Sequence, residues 1–303
     1  MIRTRKATPQ DTQRILDISA QIWDGDDYVP SALAGWLTDP SGELLVAEVG
    51  GTVAGFAYRT WLLPGHAWLQ GIRTDPSDRG KGVGRALSHA LIDRSREEGA
   101  MRISLSTYVD NTPSLRLIAS LGFARVASFV YLERTSSAPP LPNPADPGVA
   151  EVPAEEAACF VSGSRCLATA HGWYPLEWLF LPFGARPQAF LQRTPYRIGV
   201  RRGEGWRSLL CASPGGGAGD GAFLSFLDGE PDDFAALLSR ASQDLSVGTW
   251  ESMIPKDGKD VASALAPLQS LGFTTWQNGE EDVFCYDLDV HDATEQPAAS
   301  RGR

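Results

Sequence analysis

The sequence predicts an α+β protein of two domains, and three observations carry that prediction. At about 150 residues per domain, 303 residues make two globular units, and 43% apolar residues supply two cores. Five prolines fall in the thirteen residues 136–148, a composition that favours an extended, semi-rigid connection near the middle of the chain. Ala119-Ser-Leu-Gly-Phe123 is echoed 150 residues later by Gln269-Ser-Leu-Gly-Phe273, each ahead of a terminal strand pair, which points to a tandem duplication. The expected boundaries are a first domain at 1–135, a linker at 136–148, a second domain at 149–290 and a disordered tail at 291–303.

Residues 2–6 form a short strand, and Thr8-Pro9 caps an amphipathic helix whose Ile15, Leu16, Ile18 and Ile22 share an apolar face. An acidic loop at 24–28 precedes a second helix begun by Pro30. Alternating apolar residues at 44–49 and 53–60 make a hairpin around Gly50-Gly51, because paired glycines accept the positive φ angles of a two-residue turn. Residues 68–74 form the next strand, and a glycine-rich turn then leads to a helix with Val83, Leu87, Ala90 and Leu91 on one face. A strand at 102–106, a helix at 112–120 and a strand pair at 124–132 complete the domain. In the second half, strands at 206–211 and 222–227 flank the glycine cluster 213–221, read as a flexible connection because no helix or cation follows it. A helix from Pro231 places Phe234, Leu237, Leu238 and Ala241 at core spacing.

The net charge of −10 lies in the second half: residues 1–140 hold 15 basic and 15 acidic side chains, residues 141–303 hold 12 and 22. Such a surface repels phosphate backbones and excludes nucleic acid as the expected partner. No run reaches the roughly 18 apolar residues of a membrane span, and Met-Ile-Arg-Thr-Arg-Lys at the N-terminus is no signal peptide, so a cytoplasmic protein with no membrane partner is expected. Cys159, Cys166, Cys211 and Cys285 contain no C-x-x-C pair, so buried free thiols and no metal site are expected.

The segment that carries chemistry is Leu69-Gln-Gly-Ile-Arg-Thr-Asp-Pro-Ser-Asp-Arg-Gly-Lys-Gly-Val-Gly-Arg-Ala-Leu87, a strand, a cationic glycine turn and a helix. Gly80, Gly82 and Gly84 let the backbone approach an anion, the first helical N–H groups point at it, and Arg79, Lys81 and Arg85 add charge. The spacing G-x-G-x-G fits neither a Walker A loop nor a G-x-G-x-x-G dinucleotide fingerprint.

Arg79-Gly-Lys-Gly-Val-Gly84 resembles the R/Q-x-x-G-x-G/A acetyl-CoA signature of the GNAT N-acetyltransferase superfamily, and Asn111 to Phe123 resembles its second segment, N-x-x-A-x-x-L-Y-x-x-x-G-F, with Ser114 in the alanine position. The match covers 1–134 and implies tandem GNAT folds, each a mixed central sheet flanked by helices, with acetyl-CoA as cosubstrate. The resemblance further implies that Ile72, Arg73 and Thr74 line the pantetheine arm. By the same analogy Arg79, Gly80, Lys81, Gly82, Val83, Gly84 and Arg85 wrap the pyrophosphate, and Asn111 and Ser114 lie close to the cofactor. A main-chain N–H of the Ile72 strand would polarise the thioester carbonyl.

Where many family members carry a tyrosine that protonates the departing thiolate, this chain has Ile118. A thiol of pKa about 8.5 leaves tolerably unaided, and Tyr108 is the nearest alternative acid or else a half-buried strand-end aromatic. Candidate bases are His66, Gln70 acting through water, and Asp24, Asp26 and Asp27. An exposed loop position for His66 and a solvated turn for the aspartates are the competing readings.

Displaced by 150, the phosphate loop falls on 229–237, where Asp228, Glu230, Asp232 and Asp233 oppose an anion; the second copy is therefore expected to be degenerate and to hold no cofactor. Asp26-Asp-Tyr-Val-Pro30, Trp36-Leu and Trp173-Tyr-Pro-Leu more loosely resemble the vertebrate histidine N-acetyltransferases and their relatives. That resemblance implies a free amino acid as acceptor, its ammonium meeting Asp27 and its side chain packing on aromatics such as Tyr28 and Tyr174. The stretch 171–178 reads equally as an aromatic core segment. Mycothiol synthases are also tandem GNAT proteins, but their C-terminal copy is the catalytic one, which the carboxylates at 228–233 oppose here. The expected activity is acetyl transfer to a small primary amine by direct attack, in a monomer or homodimer. The alternatives are acetylation of a protein N-terminus or lysine, and a non-catalytic acyl-CoA-binding protein.

Overall fold

A computed structural model describes residues 1–142, 148–185, 187–215, 221–256 and 264–290. In chain order the first half runs β1 Ile2–Lys6, α1 Thr12–Ser19, α2 Val29–Thr38, β2 Glu43–Val49, β3 Thr52–Leu63, β4 His66–Thr74, α3 Val83–Glu97, β5 Arg102–Tyr108, α4 Thr112–Ser120 and β6 Ala124–Arg134. The remainder runs β7 Val149–Glu151, α5 Ala154–Ser162, α6 Arg165–Thr169, β8 Trp173–Leu176, β9 Leu179–Pro182, α7 Pro187–Arg193, β10 Tyr196–Arg202, β11 Gly205–Pro214, β12 Ala222–Asp228, α8 Pro231–Leu245, β13 Trp250–Pro255, α9 Leu265–Ser270, β14 Thr274–Thr275 and β15 Val283–Asp289. The chain divides into two units. The first holds Met1–Leu105, Thr112–Ala124 and the segment from Tyr286; the second holds Ser106–Asn111 and Arg125–Cys285.

In the first unit the strand order is β1-β2-β3-β4-β5, with the segment from Tyr286 beyond β5. Neighbours pair antiparallel from β1 to β4, and β4 pairs parallel with β5 through the α3 crossover. Gly50 (φ +60) and Gly51 (φ +85) turn the β2–β3 hairpin, as the paired glycines predict. One face of the sheet buries Ile15, Ile18, Val29, Leu33 and Trp36 from α1 and α2 against Val46, Phe56 and Tyr58. The other buries Val83, Leu87, Leu91 and Ile92 of α3, spaced as a helix stripe, together with Ile118 and Phe123, against Leu45, Ala57, Leu69 and Ile103. Ahead of α1, Asp11 accepts from the Thr8 main chain and from two Arg5 nitrogens, which hold its carboxyl at about 2.

The second unit orders its strands β6-β13-β12-β11-β10-β7, with the start of β15 beside β6. Here β10, β11 and β12 form an antiparallel meander and β12 pairs parallel with β13 through α8, repeating the β2–β5 plan. Both crossover helices are 15 residues long, and α8 begins 148 residues after α3. The duplicated architecture expected from the Ser-Leu-Gly-Phe echo is therefore present. Phe234, Leu237, Leu238 and Ala241 enter the core as their spacing predicts.

The connection before the second helix differs between the copies: eight residues (75–82) separate β4 from α3, and two (229–230) separate β12 from α8. Residues 143–147 of the expected linker, 216–220 of the glycine cluster and the tail 291–303 lie outside the described residues. No helix among the described residues is long and apolar enough to cross a membrane. None of the four cysteines forms a disulfide with another described residue; Cys211 and Cys285 are buried, whereas Cys159 is exposed on α5.

Candidate active site

The site in the first unit is built around an irregularity in β4. Between the pairs Phe56–Arg73 and Tyr58–Gln70, two residues of β4, Gly71 and Ile72, face Ala57 alone. The extra residue changes which face the following side chains take. Arg73 reaches Asp27 on the α1–α2 side, while Ile72 and Thr74 lie beside Gly84 at the start of α3. Gly71 has φ +62, and a Cβ there would come within 2.5 Å of the Trp36 ring. The parallel ladder with β5 takes in His66, Ala67 and Trp68, which leaves 69–74 outside it.

Past Thr74 the loop is fixed by Asp75, a buried carboxylate that accepts from the Ser77 N–H (2.8 Å) and hydroxyl (2.6 Å) and from Arg14 (2.5 Å). The Ser77 bonds above all hold its carboxyl below the ordinary range. Gly82, at φ +89, is the N-cap of α3, and the Ala86 N–H closes the first turn on its carbonyl (2.9 Å), so the N–H groups of 83–85 lie ahead of the helical ladder. A Cβ on Gly84 would stand 3.5 to 3.9 Å from Leu117, Thr74 and Ile72, and one on Gly55 would meet the Arg73 carbonyl at 2.5 Å and Val83 at 2.6 Å. Lys81 pairs with Asp78 (2.7 Å), whereas Arg79 and Arg85 are exposed and form no ion pair among the described residues. Unspent helix N–H groups, a left-handed glycine cap and two uncommitted guanidinium groups suit a pyrophosphate.

Across the strand, the acidic loop forms a wall. Trp23, Asp24 and Gly25 take positive φ in succession (47°, 55° and 93°), a strained turn that sets the Trp23 ring 4.4 Å from the Arg73 guanidinium. Tyr28 lies 5.5 Å from the same guanidinium and edge-on to Trp36 (5.9 Å), which stacks on Tyr58 at 4.6 Å. The Asp27 side chain is fully enclosed; it takes two bonds from Arg73 (2.9 and 3.1 Å) and one from Ser19 (2.8 Å). Trp23 and Tyr28 remain 44% and 45% exposed, and Asp24 and Asp26 are exposed beside them. Burial of its hydroxyl end pushes the Tyr28 phenol up, with Arg73 opposing.

The structure thus brings together Gln70, Ile72, Arg73, Thr74, the residues 79–85, Asp27 and Tyr28, with Ser114 on α4 in the same unit. His66 sits elsewhere, at the first residue of β4, about 26 Å of strand from Thr74. It is buried at 3% exposure against Ser104 Oγ (2.7 Å), whose hydroxyl donates to Asp287 (2.6 Å), and burial lowers its pKa to about 4. The loop position expected for His66 is therefore corrected to a buried strand end. Tyr108 and Asn111 fall in the second unit, where Tyr108 is edge-on to Trp276 at 6.4 Å. Tyr174 is a core residue of that unit, 2% exposed among Phe183, Phe190 and Phe226, and among the described residues its hydroxyl has no hydrogen-bond partner. The stretch 171–178 contributes β8 and the turn that follows it.

The equivalent position in the second copy has no room for the loop. Gly229 packs so closely that a Cβ would meet Arg207 and Ser208 within 2.6 Å, and the enclosed Asp233 binds Arg207 and Ser208. Sequence reasoning passed over Trp23 and Gly71 and met Trp36 only in the looser resemblance; the one sign of Trp23 was its place beside the acidic loop. Among the described residues no group of three His, Cys, Asp or Glu could hold a metal ion.

A sequence model described as the Acetyltransferase (GNAT) family matches residues 11–123. The N-alpha-acetyltransferase RimI of Mycobacterium tuberculosis is 35% identical over 123 residues, which is 39% of this chain and 76% of that protein. A mycothiol acetyltransferase of Sanguibacter keddieii is 34% identical over 107 residues; the chain spans about a third of that relative's length, 33%. Among solved structures, a GCN5-related N-acetyltransferase from Sphaerobacter thermophilus aligns at TM-score 0.63 and 16% identity, covering 95% of each chain. A tandem GNAT protein from the clavulanic acid biosynthesis pathway aligns at TM-score 0.59 and 14% identity, covering 98% of this chain and 100% of that one. At these identities the structural neighbours speak for the fold alone.

Proposed function

The chain belongs to the GNAT acetyltransferase family, whose members use acetyl-CoA, and from that premise we propose that it acetylates the primary amine of a small molecule, a free amino acid fitting best. One observation carries the reading: the Gly71–Ile72 bulge has the glycine loop and α3 on one face and the half-exposed aromatic pair Trp23 and Tyr28 on the other. In this reading Arg79, Arg85 and the N–H groups of 83–85 hold the pyrophosphate, and Ile72 and Thr74 line the pantetheine arm. The Ile72 N–H, left out of the β3 ladder by the bulge, donates to the thioester carbonyl oxygen as negative charge grows there.

The amine nitrogen attacks the carbonyl carbon, the C–S bond breaks, and the nitrogen gives up one proton while the thiolate of CoA leaves. An α-amine of pKa about 8 is already partly neutral at pH 7, so water held by Gln70 suffices where a lysine, at about 10.4, would require a stronger base. We assign His66 to the fold, because its ring is committed to Ser104 far along β4. Asp27 supports the acceptor wall through Arg73, and the exposed Asp24 and Asp26 draw the acceptor's ammonium form to it.

A second reading, acetylation of a peptide's N-terminal amine, is favoured by the name of the Mycobacterium tuberculosis relative and uses the same wall. Trp23→Ala tests the shared part: it should raise KM for the amine at least tenfold while KM for acetyl-CoA stays within twofold. Equal changes in both would refute the acceptor role.

A further inference from the structure

Strands β8 and β9 are joined by only two residues, Glu177 and Trp178, since Leu176 pairs with Leu179. Glu177 holds φ +58, a left-handed conformation normally left to glycine, and the Trp178 carbonyl is pinned by the Ser106 hydroxyl at 2.8 Å. The strained turn sets the Trp178 ring nearly parallel to Trp276 (6.0 Å, 29°) and to Tyr131 (6.1 Å, 27°), while Tyr131 stacks on Trp276 at 4.0 Å. Trp276 is 46% exposed and Trp178 half-buried, with Tyr131 buried against them at 4% exposure, so the two tryptophans form an open shelf on a buried tyrosine. All of these residues belong to the second unit.

The shelf is edged by carboxylates. Glu251 lies two residues from Met253, the register partner of Tyr131, and the Tyr131 hydroxyl bonds to it. Burial and the like charge of Glu251 both raise the Glu177 carboxyl, and among the described residues no lysine or arginine forms an ion pair with Glu177. Asp282, 0% exposed, adds charge behind Tyr131, accepting that residue's N–H at 2.7 Å. Lys256, a cation of the same unit, is taken by Glu280. Rings with electron-rich faces beside two repelling carboxylates attract a cation that also has apolar surface to bury.

We propose that Tyr131, Trp178 and Trp276, with Glu177 and Glu251, form a binding site for an arylalkyl ammonium ion, its ring lying on the shelf and its charge toward the carboxylates. The proposal does not rest on the acetyl-transfer reading, because it is tested by binding without acetyl-CoA. Calorimetric titration of the full chain with phenethylammonium should show affinity at least tenfold above that for 2-phenylethanol, the neutral counterpart, and none for 3-phenylpropanoate. Glu177→Gln should remove that tenfold preference and leave 2-phenylethanol unchanged; Trp276→Ala should weaken both compounds at least fivefold. Both side chains lie on the surface, and Glu177→Gly, which relieves the strained turn, provides a well-folded second variant that should lose the same preference. Equal affinity for the ammonium and the alcohol overturns the proposal. So does binding abolished by Trp23→Ala but indifferent to Trp276→Ala, which would place the cation at the first unit's aromatic wall.

Discussion

Gly82→Glu separates the two things a glycine does at the start of α3. Gly82 sits at φ +89 with its nearest Cβ neighbour, Ile2, at 3.9 Å, so a side chain fits sterically and the cost to folding is the left-handed backbone alone, about 1 to 2 kcal/mol. Gly82→Ala carries that same cost in the free and bound protein, so it should lower the melting temperature and leave acetyl-CoA affinity within threefold. The glutamate adds one negative charge about 6 to 8 Å from a pyrophosphate carrying roughly two. At an effective dielectric of about 40, between surface and bulk values, the repulsion is about 2 to 3 kcal/mol. Calorimetric titration with acetyl-CoA should therefore show Gly82→Glu bound about thirty- to a hundred-fold more weakly than Gly82→Ala at equal stability loss. Affinities within threefold of each other would refute the placement of the pyrophosphate on this loop.

Gly71→Ala forces a Cβ to 2.5 Å from a Trp36 ring already stacked on Tyr58; strain and overpacking together should cost about 2 to 5 kcal/mol in urea denaturation, and an unchanged midpoint would contradict the bulge geometry. His66 holds a folded pKa of about 4 against 6.5, so the unfolded chain binds the extra proton between these values. Stability should fall by up to about 3 kcal/mol as pH drops from 6.5 to 4. His66→Gln should flatten that part of the pH profile, and parallel curves would rule out a buried neutral ring. Arg207→Ala takes the guanidinium from the enclosed Asp233, so the urea midpoint should fall while acetyl-CoA affinity is unchanged; weakened binding would mean the second copy takes part in holding the cofactor.

What the sequence revealed was whatever it encodes locally. Arg79-Gly-Lys-Gly-Val-Gly84 announces a phosphate loop because glycine φ angles and helix N–H groups are properties of neighbouring residues, and the α3 stripe and the Gly50-Gly51 turn are legible for the same reason. The bulge at Gly71 was hidden, since two residues facing one is a fact about β3 as much as β4, imposed by a tryptophan 35 positions earlier. His66 looked like a loop histidine next to Pro64-Gly65; its burial comes from Ser104 and Asp287, 38 and 183 or more positions removed from their partners. The Arg73 pairing with Asp27 spans 46 positions and left the acidic loop looking solvated. A single offset of 150 found the duplication but could not show that the second copy lost most of its loop, because the helices are displaced by 148 and the loop shortens from eight residues to two.

The most direct test of acetyl transfer at the β4 bulge is the release of free thiol from acetyl-CoA across free amino acids, polyamines, aminoglycosides and short peptides. Each acceptor that turns over is then repeated with Gly82→Glu. The account predicts turnover with α-amines, free amino acids foremost, and its loss in the variant. Acetyl-CoA binding without turnover for any amine, or turnover that survives Gly82→Glu at subsaturating acetyl-CoA, would contradict it.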